Sequence, residues 1–355
     1  MRLLNVLDSL LTPVFKGFMV GFLVCAFAVI WITKDRVPLD DIPIIQEFSD
    51  VFREGIASFS LLDPALIEDF YQSDPTNRQL LTTENTPVLT PAGSDFSPIS
   101  PLHIRSYWHR ENIIKKFEKA GYSRGKIKAA GRILDYIEKH RLIAFQNMRN
   151  TNIPVSIKLA QGILESNAGR SSLAKATNNH FGIKAPAGKS AREKIRARRY
   201  AELSDDEFIY RRPAIGAYNF HDDNRYDRFE VYATVGDSYE RHNQLLTKKC
   251  QPGKKGCYSW IWGKYQVGKD YDISPMAGLY RPSSGIAPED FFNGRTVVPY
   301  YAAAAAGLKM SGYATSPTYH KKLFYLIETY ELWQFDIDLI RALEANNISA
   351  AGPVR

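Results

Sequence analysis

The 355-residue sequence lacks the motifs on which several common enzyme chemistries depend. It contains no glycine-rich phosphate loop and no Gly-x-Ser-x-Gly motif, which argues against phosphate-loop and serine-hydrolase mechanisms. Its seven histidines include no His-x-x-x-His pair, so a zinc peptidase is not expected. His180 and His221 could meet in space, but a hydrogen-bonding role suits each of them better than metal ligation. The sequence therefore implies no cofactor and no metal site.

Cysteine is also scarce, with three residues in the chain. Cys25 lies in an apolar run and is most simply a small hydrophobic residue. Cys250 and Cys257 bracket the polar, turn-forming sequence Gln-Pro-Gly-Lys-Lys-Gly. We favour a local disulfide between them, which would suit an oxidising compartment outside the inner membrane, over two reduced surface thiols.

One uncharged apolar run stands out near the N-terminus, at residues 17–33. Its length is near the lower limit for crossing a hydrocarbon core of about 30 Å. No small-residue cleavage site follows it, so residues 1–33 are interpreted as an uncleaved membrane anchor rather than a cleaved signal peptide or a buried core helix. Basic residues flank the run on both sides, so the charges do not set its orientation.

Acidic residues do not balance the basic ones, and the net charge of +8 suits an anionic partner such as nucleic acid, acidic lipid or a cell-wall polymer. The densest basic stretch, residues 189–199, is followed by acidic side chains that include Glu202 and Glu207. Mixed charge of this kind is typical of a solvated face, and no nucleic-acid-binding motif occurs. We therefore expect no nucleic-acid partner.

Composition divides the chain into the anchor, a linker, one helical domain and a tail. Residues 34–101 are interpreted as a stalk, because residues 73–101 are rich in Pro, Thr, Ser and Asn, a composition that favours an extended linker. Helical periodicity dominates residues 102–335, and residues 336–355 are interpreted as a dispensable tail. Within the domain, residues 215–224 have little helical periodicity and predict a β-hairpin or an extended lobe.

A mostly apolar helix, predicted to start at Pro154, carries Glu165 near its C-terminal end. Asn167 and Gly169 stop the helix, and its apolar residues predict packing into a core. A carboxylate there lies near the negative end of the helix dipole, and partial burial would also disfavour its charge. Glu165 is therefore a candidate acid that stays protonated near neutral pH, with a solvated helix-end carboxylate as the simpler alternative.

Two amides, an imidazole and an aromatic ring follow in one tight turn, as Asn178, Asn179, His180 and Phe181. Side chains of these types bind sugar hydroxyls and acetamido groups. The turn therefore predicts a carbohydrate-binding site that Glu165 could serve as an acid.

The helix around Glu165, the turn that starts at Asn178 and the later sequence Gly312-Tyr313-Ala314-Thr315 resemble, in order, three motifs of the glycoside hydrolase family 73 β-N-acetylglucosaminidases. This family cleaves peptidoglycan and includes flagellar hydrolases, autolysins and Bax-like proteins. The resemblance covers about residues 130–247 and 300–335. It implies a mainly α (α+β) fold, in which a lysozyme-like helical domain with a small β-lobe follows the N-terminal transmembrane helix.

Residues 248–298 depart from the family, whose members usually have a short connection at this point. This insertion contains the cysteine pair and a group of aromatic residues, and two interpretations stay open. The aromatic rings could line a groove and stack on sugars, or they could pack together as an Ω-type excursion with its own small core. The aromatic residues are Trp260, Trp262, Tyr265, Tyr271 and Tyr280.

The resemblance implies that Glu165 is the general acid of glycosidic cleavage. A second carboxylate usually assists, and Asp222 and Asp223 fall where the family places it, with Asp223 slightly favoured. Glu202 and Glu207 are the alternatives.

A third possibility for the second role is substrate assistance, in which the acetamido group of N-acetylglucosamine attacks the anomeric carbon of its own sugar. Tyr313 could stabilise that group, stack beneath the sugar, or be an ordinary core tyrosine. The choice decides whether a second protein carboxylate is needed at all.

The resemblance implies an endo-β-N-acetylglucosaminidase that hydrolyses the β-1,4 bond after N-acetylglucosamine in peptidoglycan glycan strands. Its substrate implies a bacterial inner-membrane protein whose catalytic domain is in the periplasm or faces the cell wall. A lytic transglycosylase on the same scaffold and a non-catalytic wall-binding scaffold protein are the alternatives.

Overall fold

The computed structural model describes residues 106–220, 224 and 226–350, and for residues 344–350 it describes only the backbone. Over this part of the chain the structure is mainly helical with two small antiparallel sheets, which confirms the predicted fold class at that level. The predicted anchor at 1–33 and stalk at 34–101 lie outside the described residues. Among the described residues, no helix is long and apolar enough to cross a membrane.

The helices and strands are named in chain order. The α-helices of the described residues are α1 (Arg110–Lys119), α2 (Arg124–Thr151), α3 (Val155–Ser166), α4 (Ser172–Thr177), α5 (Lys189–Arg196), α6 (Val235–Thr247), α7 (Ser259–Lys264), α8 (Ser274–Ser284), α9 (Tyr300–Met310), α10 (Tyr319–Thr329) and α11 (Trp333–Ala350). The strands are β1 (Gly216–Asn219), β2 (Arg228–Val231), β3 (Asp270–Asp272) and β4 (Val297–Pro299). Short 3₁₀ turns occupy Tyr200–Glu202, Asp205–Glu207 and Pro288–Asp290.

The core of the domain is built around α3, the helix that carries Glu165. Helices α2, α9, α10 and α11 all pack against it, and every residue from Val155 to Ile163 is buried. Helix α9 is buried along its whole length, and its five consecutive alanines let neighbouring helices approach closely. The catalytic candidate is therefore carried by a helix that is buried over most of its length.

The N-terminus of α3 is capped by a residue from the far end of the chain. Pro154, which precedes α3, has no side chain that can accept a hydrogen bond. Instead the buried Asp336 of α11 accepts bonds from the Ser156 N–H over 3.0 Å and from the Tyr300 hydroxyl over 2.7 Å. The structure thus differs from the interpretation of residues 336–355 as a dispensable tail, because α11 buries Asp336 and Leu339 in the domain.

The small β-lobe consists of β1 and β2, which pair as an antiparallel hairpin with Asn219 opposite Arg228. The expected hairpin near residues 215–224 is therefore present, with its second strand slightly later in the chain. Helix α5, in the mixed-charge stretch, is not predicted by its sequence pattern because its buried side consists of Ala191 alone. Ala191 packs with Ala185 and Phe208 in a separate small core.

The insertion at 248–298 is folded as a packed excursion. Trp262, Tyr265 and Tyr280 are buried, and Trp260 stacks on Tyr280 with the ring centroids 5.6 Å apart. The Trp262 indole N–H donates to the Leu246 carbonyl oxygen, which ties the insertion to the end of α6. These rings pack against one another rather than line an open groove.

The loop that opens the insertion is closed by a disulfide between Cys250 and Cys257, as the sequence predicts. The loop lies against the chain segment that follows α9, where the Gly256 N–H donates to the Ser311 carbonyl oxygen over 2.7 Å. Gly312 has a φ of 76°, a left-handed conformation that favours glycine, and its backbone lies against the Lys255 side chain. The insertion therefore reaches the residue immediately before Tyr313.

Candidate active site

Glu165 occupies the last turn of α3 and is partly exposed. Its Oε1 accepts a hydrogen bond from the Tyr319 hydroxyl over 2.8 Å. Gln161, one turn earlier on α3, donates from Nε2 to the same hydroxyl over 3.2 Å. The helix therefore carries the acid and also positions the tyrosine that holds one of its oxygens.

The environment of Glu165 weakens its acidity. Burial raises the pKa of Glu165 to about 7, and the hydrogen bond from Tyr319 offsets part of the rise because it favours the charged form. A carboxyl with this pKa is protonated in about half of the molecules at pH 7. It can therefore give a proton to a leaving group at neutral pH.

The chain reverses directly after Glu165. Asn167, Ala168 and Gly169 follow one another in the left-handed conformation, with φ of 52°, 53° and 73°. A Cβ added at Gly169 would lie 3.2 Å from Cε1 of His180, so both the backbone and the space favour glycine. This turn brings His180 against the chain just beyond the candidate acid.

Tyr313 lies on the other side of Tyr319, and the two rings stack with centroids 5.4 Å apart. Its hydroxyl is 2.8 Å from Nε2 of His242. Burial, followed by the negative charge of Glu165, raises the pKa of Tyr313 well above its ordinary value. The phenol therefore keeps its proton and can donate a hydrogen bond.

The turn after α4 uses its amides to hold the backbone. Asn178 Nδ2 donates to the Tyr232 carbonyl oxygen over 3.0 Å. Asn179 Nδ2 donates to the carbonyl oxygens of Ile183 and Glu230, each over 2.9 Å, and Asn179 is 1% exposed. Both amides thus fasten the turn to the β-lobe, and sugar binding by them stays a prediction.

His180 and Phe181 are also buried and engaged with protein groups. Nδ1 of His180 is 2.9 Å from the Tyr136 hydroxyl, and burial lowers the pKa of His180 to about 4, so the ring is neutral. Phe181 stacks on His242 with centroids 3.9 Å apart. Phe181 of this turn therefore packs against His242, the hydrogen-bond partner of Tyr313. Direct contact of the side chains of the turn with a sugar stays a prediction.

Of the four candidates for a second carboxylate, two lie among the described residues and two do not. Asp222 and Asp223, like His221, lie outside the described residues. Glu202 pairs with Arg199 over 2.9 Å at the surface.

Glu207 has a different set of partners from Glu165. It accepts hydrogen bonds from Ser190, Lys194 and the Ser204 N–H, and these lower its pKa to about 2. A carboxylate held this way stays charged and belongs to the structure of the lobe. Among the described residues, no group of three His, Cys, Asp or Glu side chains could hold a metal ion.

Four site residues were not identified from the sequence: Lys158, Gln161, His242 and Tyr319. Lys158 and Gln161 are polar residues in a mostly apolar helix. Lys158 precedes Gln161 by three residues and Glu165 by seven, so the three side chains share one helix face. That spacing is the signal that could have revealed them. His242 and Tyr319 come from α6 and α10, and no sequence pattern places them beside α3.

Comparisons with known proteins agree with the resemblance. The matching family model, Glucosaminidase, is described as mannosyl-glycoprotein endo-β-N-acetylglucosaminidase and covers residues 142–332. Exo-glucosaminidase LytG of Bacillus subtilis strain 168 is 26% identical over 203 residues, which are 57% of this chain and 52% of LytG. The chain thus spans about half the length of this curated relative.

The solved structures have lower sequence identity to the chain than LytG has. The catalytic domain of the autolysin Auto from Listeria monocytogenes is 23% identical and covers 65% of this chain and 100% of its own, with a TM-score of 0.33. An N-acetylmuramoyl-L-alanine amidase from Staphylococcus aureus is 21% identical and covers 58% and 43%, also with a TM-score of 0.33. At these scores the two structures support no conclusion about function. The family model, in contrast, matches more than half of the 355 residues, and the chain therefore belongs to the glucosaminidase family.

Proposed function

We propose that this protein is a peptidoglycan hydrolase that cleaves the β-1,4 bond after N-acetylglucosamine, with Glu165 as the general acid. Membership of the glucosaminidase family and the likeness to exo-glucosaminidase LytG support the reaction class. The observation that carries the role of Glu165 is its partly buried position, with Oε1 bonded to Tyr319 and a pKa of about 7.

The geometry around Glu165 suggests how the proton is held and released. Tyr319 donates to Oε1, which leaves Oε2 to carry the proton toward the glycosidic oxygen. As the bond to the anomeric carbon breaks, Glu165 becomes a carboxylate, and the Tyr319 hydrogen bond stabilises that charge. The acid is regenerated when the site takes a proton from water.

The second role belongs either to a carboxylate or to the substrate. Asp223, or its neighbour Asp222, would activate a water or stabilise the positive charge at the anomeric carbon. In substrate assistance the acetamido group would do this, and Tyr313, which keeps its hydroxyl proton, would orient it by donating a hydrogen bond.

The location of the enzyme is part of the proposal. A lysozyme-like helical domain, held by an anchor at residues 1–33 and a stalk at 34–101, would reach the wall from the bacterial inner membrane, on its periplasmic or wall-facing side. Removing residues 1–33 should move the protein from the membrane fraction to the soluble fraction. A truncated chain that still sediments with membranes would contradict the anchor.

Release of soluble fragments from purified peptidoglycan tests the catalytic claim. The full chain should release fragments, and Glu165→Gln should lower the rate at least about 100-fold because no proton can be donated. Glu118→Gln, at an exposed position of α1, is the matched control and should keep the wild-type rate. A wild-type chain that binds the wall without releasing fragments would contradict the proposal and favour a scaffold.

A further inference from the structure

Lys158 is completely buried in the first turn of α3, two turns before Glu165. Its Nζ lies 3.0 Å from Nδ1 of His242 and 5.3 Å from the ring centroid of Phe181. Among the described residues, this amine makes no ion pair within 4.0 Å, although the charge of nearby Glu240 raises the pKa of Lys158. Burying an amine without a paired carboxylate is unfavourable, and an apolar side chain of similar size would fill the space more readily.

The same helix face starts two hydrogen-bond chains, each of which includes a tyrosine hydroxyl. Gln161 donates to Tyr319, which donates to Glu165. Lys158 contacts His242, whose opposite nitrogen is 2.8 Å from the Tyr313 hydroxyl. Because the rings of Tyr313 and Tyr319 are stacked, the two chains converge beside the candidate acid.

Burial lowers the pKa of Lys158, but its amine keeps at least two N–H donors in either protonation state, so its favoured role toward His242 is that of a donor. Burial lowers the pKa of His242 well below its ordinary value, so its ring is neutral and carries one proton. When the lysine amine donates to Nδ1, that proton must be on Nε2, from which it is donated to the Tyr313 oxygen. The Tyr313 hydroxyl hydrogen is then turned away from His242 and can be donated to another acceptor.

We propose that Lys158 is a positioning residue that fixes His242 in the Nε2–H tautomer and thereby directs the Tyr313 hydroxyl hydrogen toward the bound sugar. Its catalytic consequence rests on the proposed function, whereas the tautomer itself does not. Without Lys158, the imidazole could carry its proton on Nδ1, and Tyr313 would donate into Nε2 instead of into the site.

The tautomer is tested by long-range ¹H–¹⁵N NMR of the full chain labelled at histidine, with the His242 signals identified by their loss in His242→Gln. The wild-type protein should show a neutral His242 protonated at Nε2. In Lys158→Met, a signal from Nδ1–H should appear. Wild-type His242 protonated at Nδ1, or a Lys158→Met spectrum identical to wild type, would overturn the proposal whether or not the protein is an enzyme.

Kinetics on a soluble glycan fragment test the consequence. Lys158→Met should lower kcat about tenfold with KM nearly unchanged, because substrate still binds but meets a misdirected hydroxyl. In a Tyr313→Phe background the same substitution should have no further effect on kcat, since there is no hydroxyl to direct. Equal losses in both backgrounds would show that Lys158 acts through the fold in general and would overturn the proposal.

Lys119→Met is the matched control, because it removes an exposed lysine from α1 and should leave kcat and the His242 spectrum unchanged. Replacing a buried amine by an apolar side chain of similar volume is often neutral or stabilising, so Lys158→Met is expected to fold. Should it not fold, a wild-type His242 protonated at Nδ1 would still overturn the proposal.

Discussion

The Tyr319 hydroxyl donates a hydrogen bond to Oε1 of Glu165 over 2.8 Å, and so joins the first residue of α10 to the last turn of α3. Two effects of opposite sign therefore act on one carboxyl. Burial is the larger effect and raises the pKa of Glu165, whereas the phenol lowers it, and the result is a value of about 7. Both effects can be separated by experiment.

The pH dependence of hydrolysis should follow the protonation of Glu165. A general acid works only when protonated, so kcat should be constant on the acid side of this group and fall as pH rises through about 7. Well above that pH, the decrease should approach tenfold for each pH unit. A profile of kcat against pH, measured with a soluble glycan, checks this limb, and a rate that rises through pH 7 would show that Glu165 acts as a base.

Tyr319→Phe should move the fall of kcat to higher pH. The substitution removes a hydrogen bond that favours the carboxylate, so the pKa of Glu165 should rise further, by roughly 1 unit. Tyr325→Phe on the same helix is the control, because Tyr325 makes no hydrogen bond to Glu165. A limb that shifts to lower pH in Tyr319→Phe would refute the assigned donor.

Gly162→Ala should destabilise the protein even though alanine favours helices. A Cβ at this position would lie 2.4 Å from the Tyr136 hydroxyl and 3.0 Å from the Tyr239 hydroxyl. These buried hydroxyls are bonded to each other and cannot move freely, so we expect a loss of about 1–3 kcal/mol in the free energy of unfolding. Chemical denaturation measures the change.

Gly278→Ala is the matched control for that substitution. Gly278 is inside α8 and nothing lies within 4 Å of its added Cβ, so alanine should stabilise the protein by roughly 0.5–1 kcal/mol. Equal effects of the two substitutions would mean that the Tyr136 contact does not restrict the helix.

Asp336→Ala should be more harmful than Asp336→Asn. Alanine leaves the Ser156 N–H and the Tyr300 hydroxyl without their buried acceptor, and we expect a loss of about 2–4 kcal/mol. Asparagine keeps one acceptor oxygen for the helix N-terminus, so its cost should be smaller. Thermal unfolding of both variants checks the order, and an Asp336→Ala protein as stable as wild type would restore the view of residues 336–355 as a tail.

Sequence periodicity predicted the helical class and the helix of Glu165 because the apolar residues of α3 repeat at helical spacing. The disulfide was predicted from a different feature, the turn-forming loop that Cys250 and Cys257 bracket. The role of Asp336 was missed because its partner, the N-terminus of α3, is 180 residues away in the chain.

The site was predicted less fully than the fold. Glu165 and Tyr313 lie in short local motifs. In the structure Tyr319 contacts both of them, through a hydrogen bond to Glu165 and by stacking on the ring of Tyr313. Lys158 and His242 were missed because their meaning depends on a contact between α3 and α6, which local patterns do not encode. Asn179 shows what residue type alone does not reveal, since its amide is engaged with main-chain oxygens while sugar binding by it stays a prediction.

The most direct test of the central claim is mass spectrometry of the chain ends that the full-length protein produces from purified peptidoglycan, beside Glu165→Gln. We expect reducing-end N-acetylglucosamine from the wild-type protein and none from the variant. Anhydro-muramic ends would contradict the hydrolase and indicate a lytic transglycosylase, and reducing ends that persist in Glu165→Gln would contradict the role of Glu165 as the acid.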